Sequence, residues 1–201
     1  MKKVLVLYYS RHGATKELSK YIANGIESAT ECEAVIRTVA AVSTVCEATE
    51  NEIPAQGDIY ASMEDLENCD GLILGSPTRF GTIAAPLKYF FDQTTQLWIN
   101  GTLNNKPAAV FTSTSSMHGG QESTLLSMML PLIHHGMLIV TVPFNGTRLT
   151  TTRSGGTPYG ASHLSGVDGE TPITDEEKEI ASYLGKRVAS VVLAMDQGSI
   201  I

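Results

Sequence analysis

The sequence predicts an α/β domain on a parallel sheet, and three observations lead there. Short apolar runs recur along the chain, sequence of helix length separates them, and the first run ends in a turn rich in hydroxyls and glycine. At 201 residues the chain is long enough to bury one substantial core, and its middle holds no polar linker that would divide it. A single domain over 1–201 is therefore expected.

The first strand is expected at Val4 to Tyr9, an unbroken apolar run. Ser10, Arg11, His12, Gly13, Ala14 and Thr15 follow it. A strand that breaks into such a turn before a helix makes a phosphate cradle: Ser10 and Thr15 donate hydroxyls, Gly13 turns the backbone, and the helix start points unpaired amides at the anion. The first helix then sets Leu18, Ile22 and Ile26 on one face. Further strands are expected at Cys32 to Val39, Gly71 to Leu74, Ala108 to Phe111 and Met137 to Val142. Between Gln121 and His135 the apolar content is high, but Pro131 removes a helical hydrogen bond, so a kink or late restart is expected there. The last helix opens on Thr174 and Glu177 in capping-box spacing and turns Ile180, Leu184, Val188 and Val191 toward the core. Two stretches read as irregular insertions, 41–61 and 143–172. The turn-rich cluster Gly155, Gly156, Pro158, Tyr159 and Gly160 suits a segment folded over a ligand or a neighbouring subunit.

Composition narrows the function classes. A formal charge of -7 and a pI near 5.2 argue against binding nucleic acid, which Lys and Arg drive by neutralising phosphates. No apolar run approaches the roughly 20 residues that span a bilayer, and no signal-peptide layout opens the chain. Cys32, Cys46 and Cys69 have no C-x-x-C spacing and read as inert thiols in a reducing compartment. A cytoplasmic protein with no integral membrane segment is expected.

Ligands of open parallel sheets bind beyond the carboxyl ends of the strands. Three loops should converge there: Ser10 to Thr15, Ser76 to Gly81, and Ser113 to Gly120. Together they offer neutral donors, a planar cation and an aromatic ring, a mixture suited to a flat heteroaromatic with a phosphate tail. No G-x-G-x-x-G follows the first strand, and neither a P-loop nor a G-x-S-x-G occurs, so dinucleotide-fold, P-loop and α/β-hydrolase readings lack support. No triad or metal cluster lies near these loops, and Asp92 and Glu122 read as structural.

Several strings carry a resemblance: Val6-Leu7-Tyr8-Tyr9-Ser10, Ser76-Pro77-Thr78-Arg79-Phe80-Gly81, Phe91-Asp92-Gln93-Thr94, His118-Gly119-Gly120-Gln121-Glu122, His134-His135-Gly136-Met137 and Gly155-Gly156-Thr157-Pro158-Tyr159-Gly160-Ala161. From Val4 to about Leu193 the chain resembles the WrbA family of flavodoxin-like NAD(P)H:quinone oxidoreductases. The resemblance implies a five-stranded parallel sheet in the order 2-1-3-4-5 with helices on both faces, FMN as cofactor, and a homotetramer in which neighbours help to wall each flavin site. It also implies that NADH or NADPH reduces the flavin, which then passes two electrons to a quinone.

Carried residue by residue, Ser10, Arg11, His12, Gly13, Ala14 and Thr15 resemble the FMN phosphate loop. Pro77, Thr78, Arg79, Phe80 and Gly81 resemble the ring and ribityl contacts, with Arg79 stabilising charge that builds on reduction. Ser113, Thr114, Ser115, Ser116, Met117, His118 and Gly119 resemble a second ring-binding loop. His134 reads from its position as a cation complementing a helix C-terminus, whereas the resemblance implies an FMN contact. Trp98 reads alone as either packing or function, and the resemblance places it at the substrate site. His12 departs from the family, which carries a tyrosine beside the nicotinamide at that position. His135 carries no chemistry in this reading, and His163 reads as a solvated loop histidine, the alternative being an approach to the pocket from the long loop. Two other functions use the same features: a one-electron carrier of the flavodoxin type, and a non-enzymatic regulatory binding module.

Overall fold

The computed structural model describes residues 1–42, 54 and 57–197. Most of the stretch expected to be irregular between 41 and 61, Cys46 included, lies outside the described residues. Strands β1 (Lys2–Tyr8), β2 (Cys32–Thr38), β3 (Gly71–Pro77), β4 (Pro107–Thr114) and β5 (Leu138–Ile139) pair in parallel in the order β2-β1-β3-β4-β5. This is the flavodoxin-like order. β3 and β4 are buried along their whole length, which is why they read as apolar runs and not as alternating strands.

Successive side chains of β1 supply both layers of the core. Val4, Val6 and Tyr8 pack on one face of the sheet and Leu5 and Leu7 on the other. Helices α1 (Ala14–Glu27) and α6 (Asp175–Gln197) cover the first face, burying Leu18, Ile22 and Ile26 against Ile180, Leu184 and Val188. Val192, not the expected Val191, completes the inward stripe; Val191 is only partly buried. A Cβ at Gly25 would strike the Ser182 backbone and one at Gly185 the Ile22 carbonyl, so the two helices touch backbone to backbone where these glycines meet. The second face is covered by α2 (Met63–Glu67), α3 (Ala85–Asp92), α4 (Thr95–Ile99) and α5 (Gln121–His134).

Three expectations change. Helix α5 carries Pro131 without ending there. The proline sits in the last turn, where its carbonyl accepts from His135 N at 3.0 Å, Gly136 N donates to Ile133 O at 2.9 Å, and Gly136 takes the left-handed φ of 75° that closes the helix. The fifth strand is only Leu138–Ile139, not Met137 to Val142: Val140 N still donates to Ala108 O, but Val142 N turns to Pro158 O, and Pro143 has no amide to continue a ladder.

The third change concerns 143–172, which is not irregular throughout. It holds a short 3-10 turn at Arg148–Thr150 and strand β6 (Ala161–Leu164), which pairs in parallel with the carboxyl half of β4. β5 and β6 thus share one edge of β4, the first beside Pro107 and Ala108 and the second beside Phe111 to Thr114. The register aligns Pro77 with Ser113 and Ser113 with His163, so three strands end at the same rim.

Candidate functional site

At that rim the loops after β1, β3 and β4 converge on a cavity of about 320 Å³. Gly13 makes the first turn possible: its φ of 93° is open to glycine at little cost, and its amide donates to Ser10 Oγ at 3.1 Å. Gly13 is also the N-cap of α1 and has no side chain to cap it. The first-turn amides and the positive end of the helix dipole therefore face the cavity, an arrangement that binds anions. Buried Thr15 places its Oγ1 2.9 Å from Ser113 Oγ, joining the first loop to the third. Thr78 joins the second to the third and to α5: its amide donates to Ser113 O at 3.0 Å, and its hydroxyl accepts from Thr124 Oγ1 at 2.8 Å and from Gly81 N at 3.2 Å. Arg11 is exposed and makes no ion pair among the described residues, leaving its guanidinium available to a dianion.

The second loop folds into a tight turn in which Arg79 N donates to Thr82 O at 2.9 Å and Thr82 N returns to Arg79 O at 3.1 Å. Phe80 sits in this turn at φ 53°, a conformation uncommon for a bulky residue, with its ring wholly exposed. Arg79 Nη1 donates to Thr78 O at 2.6 Å, and the side chain lines the cavity.

The sequence-expected residues divide clearly. Ser10, Arg11, His12, Ala14, Thr15, Pro77, Thr78, Arg79, Ser113, Thr114 and Ser115 line the cavity. Gly13, Gly81 and Gly119 shape the turns around it, while Phe80, Ser116, Met117 and His118 project outside it. Trp98 and His134 stand apart from the cavity, but together: their rings stack at 5.5 Å and 25°, and Trp98 Nε1 donates to the His134 carbonyl at 3.1 Å. Sequence reading missed one wall, formed by Ser165, Gly166, Val167, Asp168 and Gly169. The signal for it was the pair Gly166 and Gly169 around Asp168, both glycines with φ near 78°. The better-marked cluster from Gly155 to Gly160 does not line the cavity.

His163 is corrected outright. It is 2% exposed, not solvated, with Nδ1 2.9 Å from Glu177 Oε2 and Nε2 3.1 Å from the Thr171 carbonyl. Glu177 does form the expected capping box, its Oε2 accepting from Thr174 N at 2.8 Å. The same carboxylate also accepts from Ser154 Oγ, Gly155 N and Leu164 N. Burial alone would raise its pKa, but the bonds from His163, Leu164, Ser154 and Thr174 outweigh that and hold it at about 2. His135 is buried against Thr94 and Phe91; burial and the neighbouring His134 lower its pKa. The Cys69 thiol is pushed up to about 11 by burial and that of Cys32 is also raised by burial, which keeps both protonated. Among the described residues no cluster of acids, histidines and cysteines can hold a metal ion.

Comparison with known proteins adds the family. Residues 2–146 match the model of the NADPH-dependent FMN reductase family. The chain belongs to that family. It is 39% identical over 193 residues to an NAD(P)H dehydrogenase (quinone) of Gluconacetobacter diazotrophicus, covering 95% of this chain and 97% of that protein. In fold, it matches a flavodoxin, WrbA-like protein from Agrobacterium tumefaciens with a TM-score of 0.70 at 21% identity, over 96% of this chain and 99% of that one. Flavodoxin 2 from Bacillus cereus matches with a TM-score of 0.61 at 19% identity, over 94% and 99% of the two chains. The FMN reductase family model stops before β6, so the cavity wall at 165–169 lies outside the matched residues.

Proposed function

We propose that this chain is an FMN-dependent NAD(P)H:quinone oxidoreductase and that its three-loop cavity holds the phosphate end of the flavin. The observation that carries the reading is the uncapped start of α1 facing a cavity lined by Ser10, Thr15, Ser113 and Arg11. The name of the 39% identical relative supports the reaction. When bound, FMN supplies the capacity to accept a hydride and pass on two electrons. The chain supplies position and charge. Thr15 and Ser113 fix donors on adjoining loops, the α1 dipole and Arg11 balance the dianion, and Arg79 sets a permanent positive charge on the cavity wall. His12 lines the same cavity opposite the 165–169 wall, where a Cβ on Gly169 would lie 3.5 Å from His12 Cβ, and we assign it to the nicotinamide partner.

Trp98 and His134 reach no flavin cavity of their own chain, so in this reading they wall a neighbour's. A homotetramer provides that neighbour. The outer face of α5 supports it: Leu126, Leu130 and Ile133, at helical spacing, are 45%, 67% and 55% exposed, and exposed Trp98, Ile99 and Tyr89 come from α3 and α4. The unpaired, buried thiols of Cys32 and Cys69 suit a cytoplasmic location. No described helix is long and apolar enough to cross a membrane. Titrating the flavin-free chain with FMN tests the assignment: saturation at one FMN per chain with recovered NAD(P)H:quinone activity is expected, and absence of binding overturns it.

A further inference from the structure

The His163–Glu177 pair lies outside the cavity and takes no part in the chemistry above, yet both side chains are closed off from solvent. The partners of His163 are unusual. Nδ1 faces a carboxylate that already accepts from four other donors, and Nε2 faces the carbonyl of Thr171, which can only accept. The ring thus bridges the two, with Nε2 donating to the Thr171 carbonyl and Nδ1 set against the Glu177 carboxylate.

Thr171 is one end of the segment that walls the cavity. Its amide donates to Ser165 O at 3.0 Å, closing residues 165–171 into a loop, and Ser165 N and Oγ donate to Thr114 O at 2.8 and 3.0 Å. Within the loop Gly169 N donates to Gly166 O and Glu170 N to Asp168 Oδ1, and Gly169 faces His12, where an added Cβ would lie 3.5 Å from His12 Cβ. One end is thus tied to β4, and the other depends on Thr171. The Thr171 carbonyl is anchored to the core by His163, and His163 by Glu177.

We propose that His163 is a positioning residue for flavin binding: oriented by Glu177, its ring clasps the Thr171 carbonyl and so fixes the 165–171 wall against the phosphate loop. The inference rests on the assignment of FMN to this cavity. It also gives Glu177 a second task beyond capping α6, joining the helix start, β6 and the cavity wall in one buried cluster.

Two substitutions separate the two bonds of the ring. An asparagine amide stands near the place of Nδ1 and keeps the donor to Glu177, whereas a glutamine amide reaches the place of Nε2 and keeps the donor to Thr171. FMN affinity would be measured by quenching of flavin fluorescence in wild type, His163→Asn, His163→Gln and, as a control on the site itself, Thr15→Val. The expected pattern is a Kd about 10-fold weaker in His163→Asn, the scale of one lost buried hydrogen bond, with His163→Gln recovering most of the loss. Equal weakening in both variants, or none in His163→Asn, overturns the clasp. If Thr15→Val leaves FMN binding unchanged, the cavity assignment fails instead, whatever the His163 variants show. Hydrogen exchange in the unmutated protein gives an answer that does not depend on any variant folding. The Ser165 and Thr171 amides should exchange as slowly as those of β6, and exchange at the rate of an open loop overturns the proposal.

Discussion

Replacing Glu177 with glutamine should remove a defined part of the acid sensitivity of this fold. The carboxylate accepts from Ser154 Oγ and Gly155 N at 2.7 Å, Thr174 N at 2.8 Å, His163 Nδ1 at 2.9 Å and Leu164 N at 3.0 Å, and its side chain is 0% exposed. Its pKa falls from the ordinary 4.5 to about 2 in the folded chain. Because the folded value is the lower one, the unfolded chain binds the proton more readily, and stability present above pH 4.5 is lost as pH falls toward 2. The full gap, 4.5 minus about 2, corresponds to about 3 kcal/mol, of which about 2 kcal/mol is gone by pH 3. Glutamine cannot titrate, and its NH2 must take the place either of Oε1, facing Ser154 Oγ, Gly155 N and Leu164 N, or of Oε2, facing Thr174 N and His163 Nδ1, so the variant starts less stable by about 3 kcal/mol at pH 7. Urea unfolding of both proteins, followed by circular dichroism between pH 5 and pH 3, covers the range below ordinary histidine titration. The stability difference should shrink by about 2 kcal/mol across that range. A difference that stays constant would show that the carboxylate is not held in its charged form by these bonds.

Three further outcomes bear on function. Thr15→Val keeps the volume of a buried side chain but removes the hydroxyl 2.9 Å from Ser113 Oγ, and should weaken FMN binding about 10-fold with the fold intact, read by flavin fluorescence and circular dichroism. Trp98→Ala should raise the quinone KM or lower turnover with flavin content unchanged, and steady-state kinetics identical to wild type would remove Trp98 from the substrate site. Leu130→Asp introduces a charge at the centre of the exposed α5 face, and sedimentation should then show a smaller assembly than wild type, whereas an unchanged sedimentation coefficient would separate that face from the subunit contact.

Where the sequence carried a local pattern, it also carried the structure. β1 followed by the Ser10 to Thr15 turn needs only its neighbours to form, and the carboxyl ends of β3 and β4 follow from the same α/β logic, so eleven of the expected residues line the cavity. β6 was hidden because Ala161, Ser162, His163 and Leu164 have no apolar run; the strand exists by pairing with the distant, wholly buried β4. His163 was misjudged for a related reason. Its position in a turn-rich stretch suggests solvent, and the acid that buries it, Glu177, was already accounted for as a helix cap. Loop 165–169 was missed because its place in the wall comes from bonds to Thr114 across the sheet, which spacing along the chain does not reveal. The stacking of Trp98 on His134 was not legible because it depends on how α4 meets the end of α5.

The FMN reductase family model leaves open whether flavin passes through the protein as a substrate or stays as its cofactor. In the proposed reading, the cavity lined by Thr15, Thr78, Arg79 and Ser113 holds FMN as a resident group. Steady-state NAD(P)H oxidation measured with one equivalent of FMN per chain, with and without an added quinone and in the absence of oxygen, tests this directly. Sustained turnover only when quinone is present, with one NAD(P)H consumed per quinone reduced and no free reduced flavin accumulating, is the expected result. Turnover that scales with excess free FMN and is indifferent to quinone would contradict it.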